Sequence, residues 1–337
     1  MNSDIDERRG AILRAVVESY VRAGEPVGSA YVASLPQIAV SPATIRNEMS
    51  ALDTAGYLRQ PHTSAGRIPT EKGYRHYVDA LMGDSHVKQQ DAEQVGDFFS
   101  GTHKEIEDLL FSTARLLTSI TDCVAIVTGP SPTQARVVSV QLIALGHRNV
   151  LIMVVDANGS VEKRTVEWPG EPDEAVLAEI GRRLTTHFRA KEAGEVGSAP
   201  KAEDPELDAL LSASFKAAKD AVADAELDGI FIDGTSTVAS SFDALETVRG
   251  IISILERHYT VLSLMRKVMS RGQVVSIGSE HGIRPLSECA VIVEPYRVDG
   301  VEVGTVGLIG PTRMNYGSVI GTARLVSDGL GRRLSEG

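Results

Sequence analysis

The chain has 337 residues, 42% hydrophobic and 23% charged, with a net charge of −11. That length accommodates two or three domains, and the acidity argues against a protein that coats nucleic acid regardless of sequence. It leaves room for a specific binder whose cations are gathered on one face. Aromatic residues make up 5%, so the cores must be built from Val, Ile, Leu and Ala. Cys123 and Cys289 lie far apart in apolar runs and read as buried reduced thiols, not as a disulfide or metal site. The opening MNSDIDERRG is no signal peptide, and the longest apolar run, 150–155, is too short to cross a bilayer. The expectation is a cytoplasmic protein with no membrane association.

In chain order, residues 4–23 form a first predicted helix. Ile12, Val16 and Tyr20 make one row, Leu13, Val17 and Val21 lie beside it, and Gly24 ends it. Residues 29–35 are a short second helix, broken by Pro36. Ser41 can cap a third helix with its hydroxyl, and Pro42 suits the first helical position because its missing N–H costs nothing there. Ile45, Met49 and Leu52 then form a buried stripe, while Thr44, Arg46, Asn47 and Ser50 fall off it near the helix N-terminus. Gly56 supplies the stop.

Tyr57, Leu58 and Arg59 read as a short strand. A Gly/Ser/Thr loop at 61–69 carries His62 and Arg67, and Thr70 caps a helix at 71–82. This is the order of a winged helix-turn-helix. In that fold the reading helix, here 42–55, enters a DNA major groove with its N-terminal residues at base edges. Between 59 and 76, Arg59, Arg67, Lys72 and Arg75 stand against Glu71 alone, with His62 and His76 beside them. A local basic loop in an acidic chain suits a small DNA footprint. A merely solvated loop on a small helical domain would read the same way.

Residues 83–97 are polar and charged and read as a domain junction. An amphipathic helix follows at 103–120, with Ile106, Leu109, Leu110, Thr113, Leu116, Leu117 and Ile120 on its buried face. The period then changes to that of strands at 123–127, 137–145, 150–155 and 161–168, with turns at 147–149 and 156–160. Helix is expected at 171–189, an exposed or partly disordered stretch at 190–205, and an Ala-rich helix at 207–225. A strand at 229–233 and a polar turn at 234–236 precede a long helical stretch at 245–269. A strand at 274–278, a hairpin of 290–296 and 301–309 across Asp299-Gly300, and a final helix to about 330 complete the chain. Strands and helices in this order mean α+β, not a dinucleotide-binding fold.

Catalytic signatures are missing from the sequence. It has no G-x-G-x-x-G, no phosphate-binding loop of the Walker type and no G-x-S-x-G elbow, and its eight histidines show no metal-ligand spacing. No cofactor, no metal and no enzymatic activity are expected. Glu280-His281 in GSEHGIRP reads either as an acid/base pair or, preferably, as a solvated loop. In GPTRMNY, 310–316, Gly and Pro suit a strand-to-helix junction, but Arg313 and Tyr316 are polar groups that a turn does not require. They suggest a structural or dimer contact, or an effector site with Arg313 near exposed helix N–H groups. The first is the preferred reading.

The strings ATIRNEM (43–49), GYL (56–58), QPHTSAGRIPT (60–70), KGYRHYVD (72–79) and GLIGPTRMNY (307–316) closely resemble those of HrcA, the heat-inducible transcription repressor family of bacteria. The resemblance spans essentially the whole chain and is weakest between 161 and 240. It implies a winged-helix DNA-binding domain at 1–85 and a GAF-like α+β domain at 86–160 and 241–337. A dimerising α+β segment would be inserted at 161–240. It further implies a homodimeric repressor of chaperone operons that binds an inverted-repeat operator in double-stranded DNA and is modulated by the chaperonin GroEL. Ser41, Thr44, Arg46, Asn47 and Ser50 would then meet the DNA from the reading helix, and His62, Thr63, Ser64 and Arg67 from the wing. The competing function is a GAF-type regulator whose DNA binding is controlled by a small-molecule effector.

Overall fold

Capping chemistry sets the first helices. Asp6 accepts the Arg9 N–H at 2.8 Å and starts α1 (Glu7–Ala23), three residues later than expected, and Gly24 ends it in the left-handed conformation with φ 73°. The short α2 (Ser29–Ala33) stops before Leu35. Ser41 accepts the Thr44 N–H and opens α3 (Pro42–Thr54), which Gly56, at φ 79°, follows. Two short antiparallel strands, β1 (Leu58–Arg59) and β2 (Ile68–Pro69), flank the loop and pair Arg59 with Ile68. The Thr70 hydroxyl accepts the Gly73 N–H and caps α4 (Glu71–Leu81).

The computed structural model describes residues 5–336 except 37, 39, 64, 82–86, 102–104, 130–136, 157–160, 190–196 and 243, and gives the backbone alone for 222–228 and 240. It comprises two compact units, Met1–Val127 with Phe231–Gly337, and Thr128–Ile230.

In the first unit the expected polar junction at 83–97 lies partly outside the described residues. Its second half is helical, within α5 (Gln89–Ser100). Polar composition hides this helix, which buries Val95 and packs Phe98 and Phe99 against the core. In α6 (Ile106–Thr121) the predicted face is buried from Leu109 to Leu117, but Ile106 is exposed. The chain then enters a five-stranded sheet made of β3 (Val124–Thr128), β7 (Ile230–Asp233), β8 (Val275–Ile277), β9 (Cys289–Val298) and β10 (Val301–Pro311). The strand order is β7-β3-β10-β9-β8. Asp299 (φ 52°) and Gly300 (φ 84°) turn β9 into β10. Both residues tolerate positive φ, which a two-residue hairpin demands.

A helix, α9 (Thr235–Ser241), stands where a polar turn was expected. The long stretch at 245–269 is two helices, α10 (Leu245–Leu255) and α11 (His258–Ser270). They pack on different targets, α10 on the turn at Arg284–Leu286 and α11 on β9, which one straight helix would not cover together. The final helix α12 (Tyr316–Ser335) lies along β9 and buries Tyr316, Val319, Ile320, Ala323, Val326 and Leu330. Cys123 and Cys289 are buried and unbridged, and burial pushes both thiols up to about 12.

The second unit holds a three-stranded antiparallel sheet, β4 (Val137–Gly146), β5 (Asn149–Asp156) and β6 (Val161–Glu167), with α7 (Glu174–Arg189) and α8 (Pro205–Asp228). His147 and Arg148, both at positive φ, make the β4–β5 turn. The expected turn at 156–160 and the stretch at 190–205 fall partly outside the described residues. Val150, Ile152 and Val154 face a core with Leu177, Ile180, Leu184 and Leu211. The bounds of this unit, 128–230, differ from the 161–240 expected for an inserted segment. β4 and β5 pair with β6, not with the five-stranded sheet, so they belong to this unit, while 231–240 belongs to the other. The mixed α+β class stands as expected.

Candidate nucleic-acid interface

The inner face of α3 is clamped. Ile45, Met49 and Leu52 are 0%, 3% and 1% exposed. Truncating any one of them to Ala costs about 2–5 kcal/mol. Between them, on the same stripe, sits Glu48, buried and paired with Arg8 (2.9 Å) and Arg9 (2.8 Å) of α1. Its signal was present in the sequence, because position 48 follows Ile45 by three and precedes Leu52 by four. With that side fixed, Arg46, Asn47 and Ser50 stand exposed on the other. Ser41 is exposed. Thr44 is half-buried, its hydroxyl 2.9 Å from that of Ser41.

The loop between β1 and β2 is tied at three points. The Gln60 amide donates to the carbonyls of Thr63 (3.0 Å) and Ala65 (2.9 Å), leaving His62 and Thr63 exposed at the tip. Arg67 exchanges both backbone hydrogen bonds with Val27, each 2.9 Å. Gly66 lies so close to the Pro26 and Val27 backbone that any side chain there would collide with it. The Arg67 guanidinium reaches Asp53 of α3, with Nε 2.7 Å from Oδ2. Nε makes no aligned hydrogen bond, so this contact is a charge pairing. Ser64 lies outside the described residues.

These contacts change the expected basic patch. Arg67 is 17% exposed and committed to Asp53. Lys72 donates to the Ala55 carbonyl at the end of α3 (3.0 Å) and lies 4.1 Å from the Tyr57 ring centroid. Arg75 pairs with Glu280. His76 stands edge-on to Tyr57. Arg46 and Arg59 remain exposed without an ion pair or hydrogen bond among the described residues. The groove between the start of α2, α3 and the loop is lined by Ser29, Arg46, Met49, Gln60, Thr63 and Arg67. Gln60 and Asp53 carried no local sequence signal, since their partners lie across the loop.

The model of the HrcA protein C-terminal domain matches residues 107–320. The heat-inducible transcription repressor HrcA of Symbiobacterium thermophilum is 33% identical over 97% of this chain and 98% of its own length. That of Moorella thermoacetica is 34% identical over 98% of each. The chain belongs to the HrcA family. A crystal structure described as that of a hypothetical protein has the same fold, with a TM-score of 0.62 and 22% identity over 99% of both chains.

The HrcA resemblance near the C-terminus rests on GLIGPTRMNY, and the structure separates its two polar side chains. Tyr316 is fully buried. Its hydroxyl donates to the Thr312 carbonyl at 2.8 Å, and its ring lies 5.8 Å from that of Tyr74. It therefore offers no surface to an effector or a second chain. Arg313 is exposed, its guanidinium lying over Gly24 at the end of α1. Glu280-His281 is not the solvated loop expected. Glu280 is half-buried against Arg75, and His281 is 1% exposed, with burial holding its imidazole below the ordinary value. Glu280 is engaged by Arg75. Among the described residues no group of three His, Cys, Asp or Glu side chains is placed to hold a metal, and no helix is long and apolar enough to cross a membrane.

Proposed function

We propose that this HrcA-family chain represses heat-shock operons by binding an inverted-repeat operator through a winged helix-turn-helix formed by α1–α4. The carrying observation is the pairing of a clamped inner face of α3 with an exposed outer row, Arg46, Asn47 and Ser50, beside the exposed loop tip at His62 and Thr63. A helix held this firmly on one side can deliver polar side chains to base edges without reorganising. Arg46 and Asn47 are the base readers, with Arg suited to guanine and Asn to adenine. Ser41, Thr44, Ser50, His62, Thr63 and Ser64 approach the DNA around them, and Arg59 supplies a phosphate contact. Arg67 acts as a positioning residue that holds the wing through Asp53.

Reading an inverted repeat requires a two-fold dimer with half-sites on one face of the duplex. In this reading the five-stranded sheet and its helices are a GAF-like domain, and the unit Thr128–Ile230 is the dimerising insert. Its sheet has an apolar outer side, with Ile143 40%, Leu145 55% and Val161 50% exposed. Patches of this kind mark protein contacts. The family resemblance adds GroEL, on which the repressor would depend to reach its active fold. The deciding experiment is a gel shift of the purified chain on a duplex carrying the inverted repeat from a chaperone promoter. Retention of that duplex over a scrambled one supports the reading, and equal retention of both overturns it.

A further inference from the structure

Beside the reading head, α1, α4 and the start of α12 border a half-open pocket of about 660 Å³ that the DNA-binding reading does not use. Sites for small molecules span roughly 300–1,000 Å³. Arg22 from the end of α1, Lys88 from the start of α5 and Arg313 ahead of α12 converge on it. None of these three cations has an ion pair or hydrogen bond among the described residues, in a chain whose net charge is −11. Elsewhere in the first unit, Arg8, Arg9, Arg67 and Arg75 are matched to carboxylates, whereas Arg46 and Arg59 are, like these three, unmatched among the described residues. Among the described residues that line the pocket, Glu18 is the carboxylate, and it lies 3.9 Å from Arg14. Val21, Tyr77, Leu81 and Met314 supply an apolar floor.

Gly24 leaves the space that the Arg313 side chain occupies. Any side chain there would overlap the Arg313 guanidinium, so the glycine lets that group lie across the C-terminus of α1. Arg313 lies over the helix's negative end with no carboxylate paired to it among the described residues. The Tyr74 hydroxyl, near enough to feel the Arg313 charge, does not line the pocket and is buried without a hydrogen-bond partner among the described residues.

We propose that this pocket binds a small anion with an apolar body, a carboxylate or a phosphate monoester, held by Arg22, Lys88 and Arg313. Planar guanidinium forks match such oxyanions by paired hydrogen bonds. The occupant bridges α1 and α4 of the reading head to α12, which lies along the five-stranded sheet. Binding there favours one placement of the head over others and so alters operator affinity. This second step rests on the repressor reading above.

The test is calorimetric titration of the full-length protein with octanoate and with phenyl phosphate, using 1-octanol and inorganic phosphate as controls. One anion is expected to bind once per chain at least ten-fold more tightly than its control. Arg313→Gln should weaken it at least ten-fold, and Arg22→Gln and Lys88→Gln at least five-fold each. The last two side chains are exposed, so their variants keep the wild-type melting temperature and remain informative if Arg313→Gln misfolds. Neither anion exceeding its control would overturn the proposal, as would wild-type binding by both Arg22→Gln and Lys88→Gln. Loss of operator binding by the unliganded Lys88→Gln protein would make these cations DNA contacts and also overturn it. A five-fold shift in operator affinity on adding the bound anion supports the coupling. An unchanged affinity overturns the coupling, whereas operator binding by the unliganded wild type tests the repressor reading separately.

Discussion

Arg75 of α4 and Glu280, 205 positions later, face each other as an ion pair, with Nε 2.9 Å from Oε1. Arg75 also donates to the Val275 carbonyl (2.8 Å), and Glu280 also accepts the Ile277 N–H (2.8 Å). One turn earlier on α4, Glu71 accepts the Ser279 N–H at 3.1 Å. Together these contacts pin α4 to the turn after β8. Burial tends to raise the Glu280 carboxyl, but the Arg75 hydrogen bond, the Ile277 N–H and the Arg75 charge outweigh it and hold the group below its ordinary value.

A carboxylate depressed in this way stabilises the fold above its unfolded pKa, about 4.3, and that contribution is lost as pH falls through the lower folded value. Glu280→Gln should therefore cost about 1.5–3 kcal/mol at neutral pH, the range for hydrogen bonds to charged groups. The gap from wild type should close as the pH approaches 3, because wild type loses the same interaction. Thermal melts at several pH values read this directly, and a gap that stays constant down to pH 3 would refute the assignment.

Arg46→Ala and Asn47→Ala should each lose about 1–3 kcal/mol of operator binding, the range for a base contact. Both residues are exposed on α3, so melting temperatures should not move. Fluorescence anisotropy on specific and scrambled duplexes measures the effect. Wild-type affinity in both variants would mean that another surface reads the DNA.

Arg59 and Arg67 should behave differently despite their shared charge. Arg59→Ala should weaken binding to every sequence alike and lower the salt slope by about one. Arg67→Ala should instead destabilise the loop by up to about 1 kcal/mol, since its partner Asp53 is only partly exposed. An Arg67 variant that melts like wild type but loses a unit of salt slope would show that the ion pair opens on DNA.

The second unit should be removable. The Gly129 N–H donates to the Gly229 carbonyl at 2.5 Å, so the ends of the unit meet and a short turn can replace 130–228. The shortened protein should fold, sediment as a monomer and bind the operator weakly. A shortened protein that still sediments as a dimer would move the dimer contact elsewhere.

Refolding should need assistance. The sheet order β7-β3-β10-β9-β8 joins strands from both ends of the second unit and from the last quarter of the chain, so apolar strands wait for distant partners. Protein diluted from denaturant should regain operator binding poorly alone and much better with GroEL and ATP. Equal recovery at matched concentration and temperature would place heat sensing in the dimer itself or in another regulator.

What the sequence determined by itself was local. Ser41 with Pro42, Thr70 and Gly24 mark helix ends because a cap or a positive φ is satisfied within a few residues. Ile45, Met49 and Leu52 mark a buried stripe through the helical period, and Asp299-Gly300 a hairpin through its turn chemistry. The motif strings also carried the family. Tertiary structure alone decided which strands pair, since alternating apolar runs look alike at 137–145 and 301–309 and only their partners assign them to different sheets. It likewise decided that Arg67 faces Asp53, that Arg75 faces Glu280, and that Arg313 lies over Gly24. Charge pairing acts through space between positions that folding brings together, and periodicity within one segment contains no record of it.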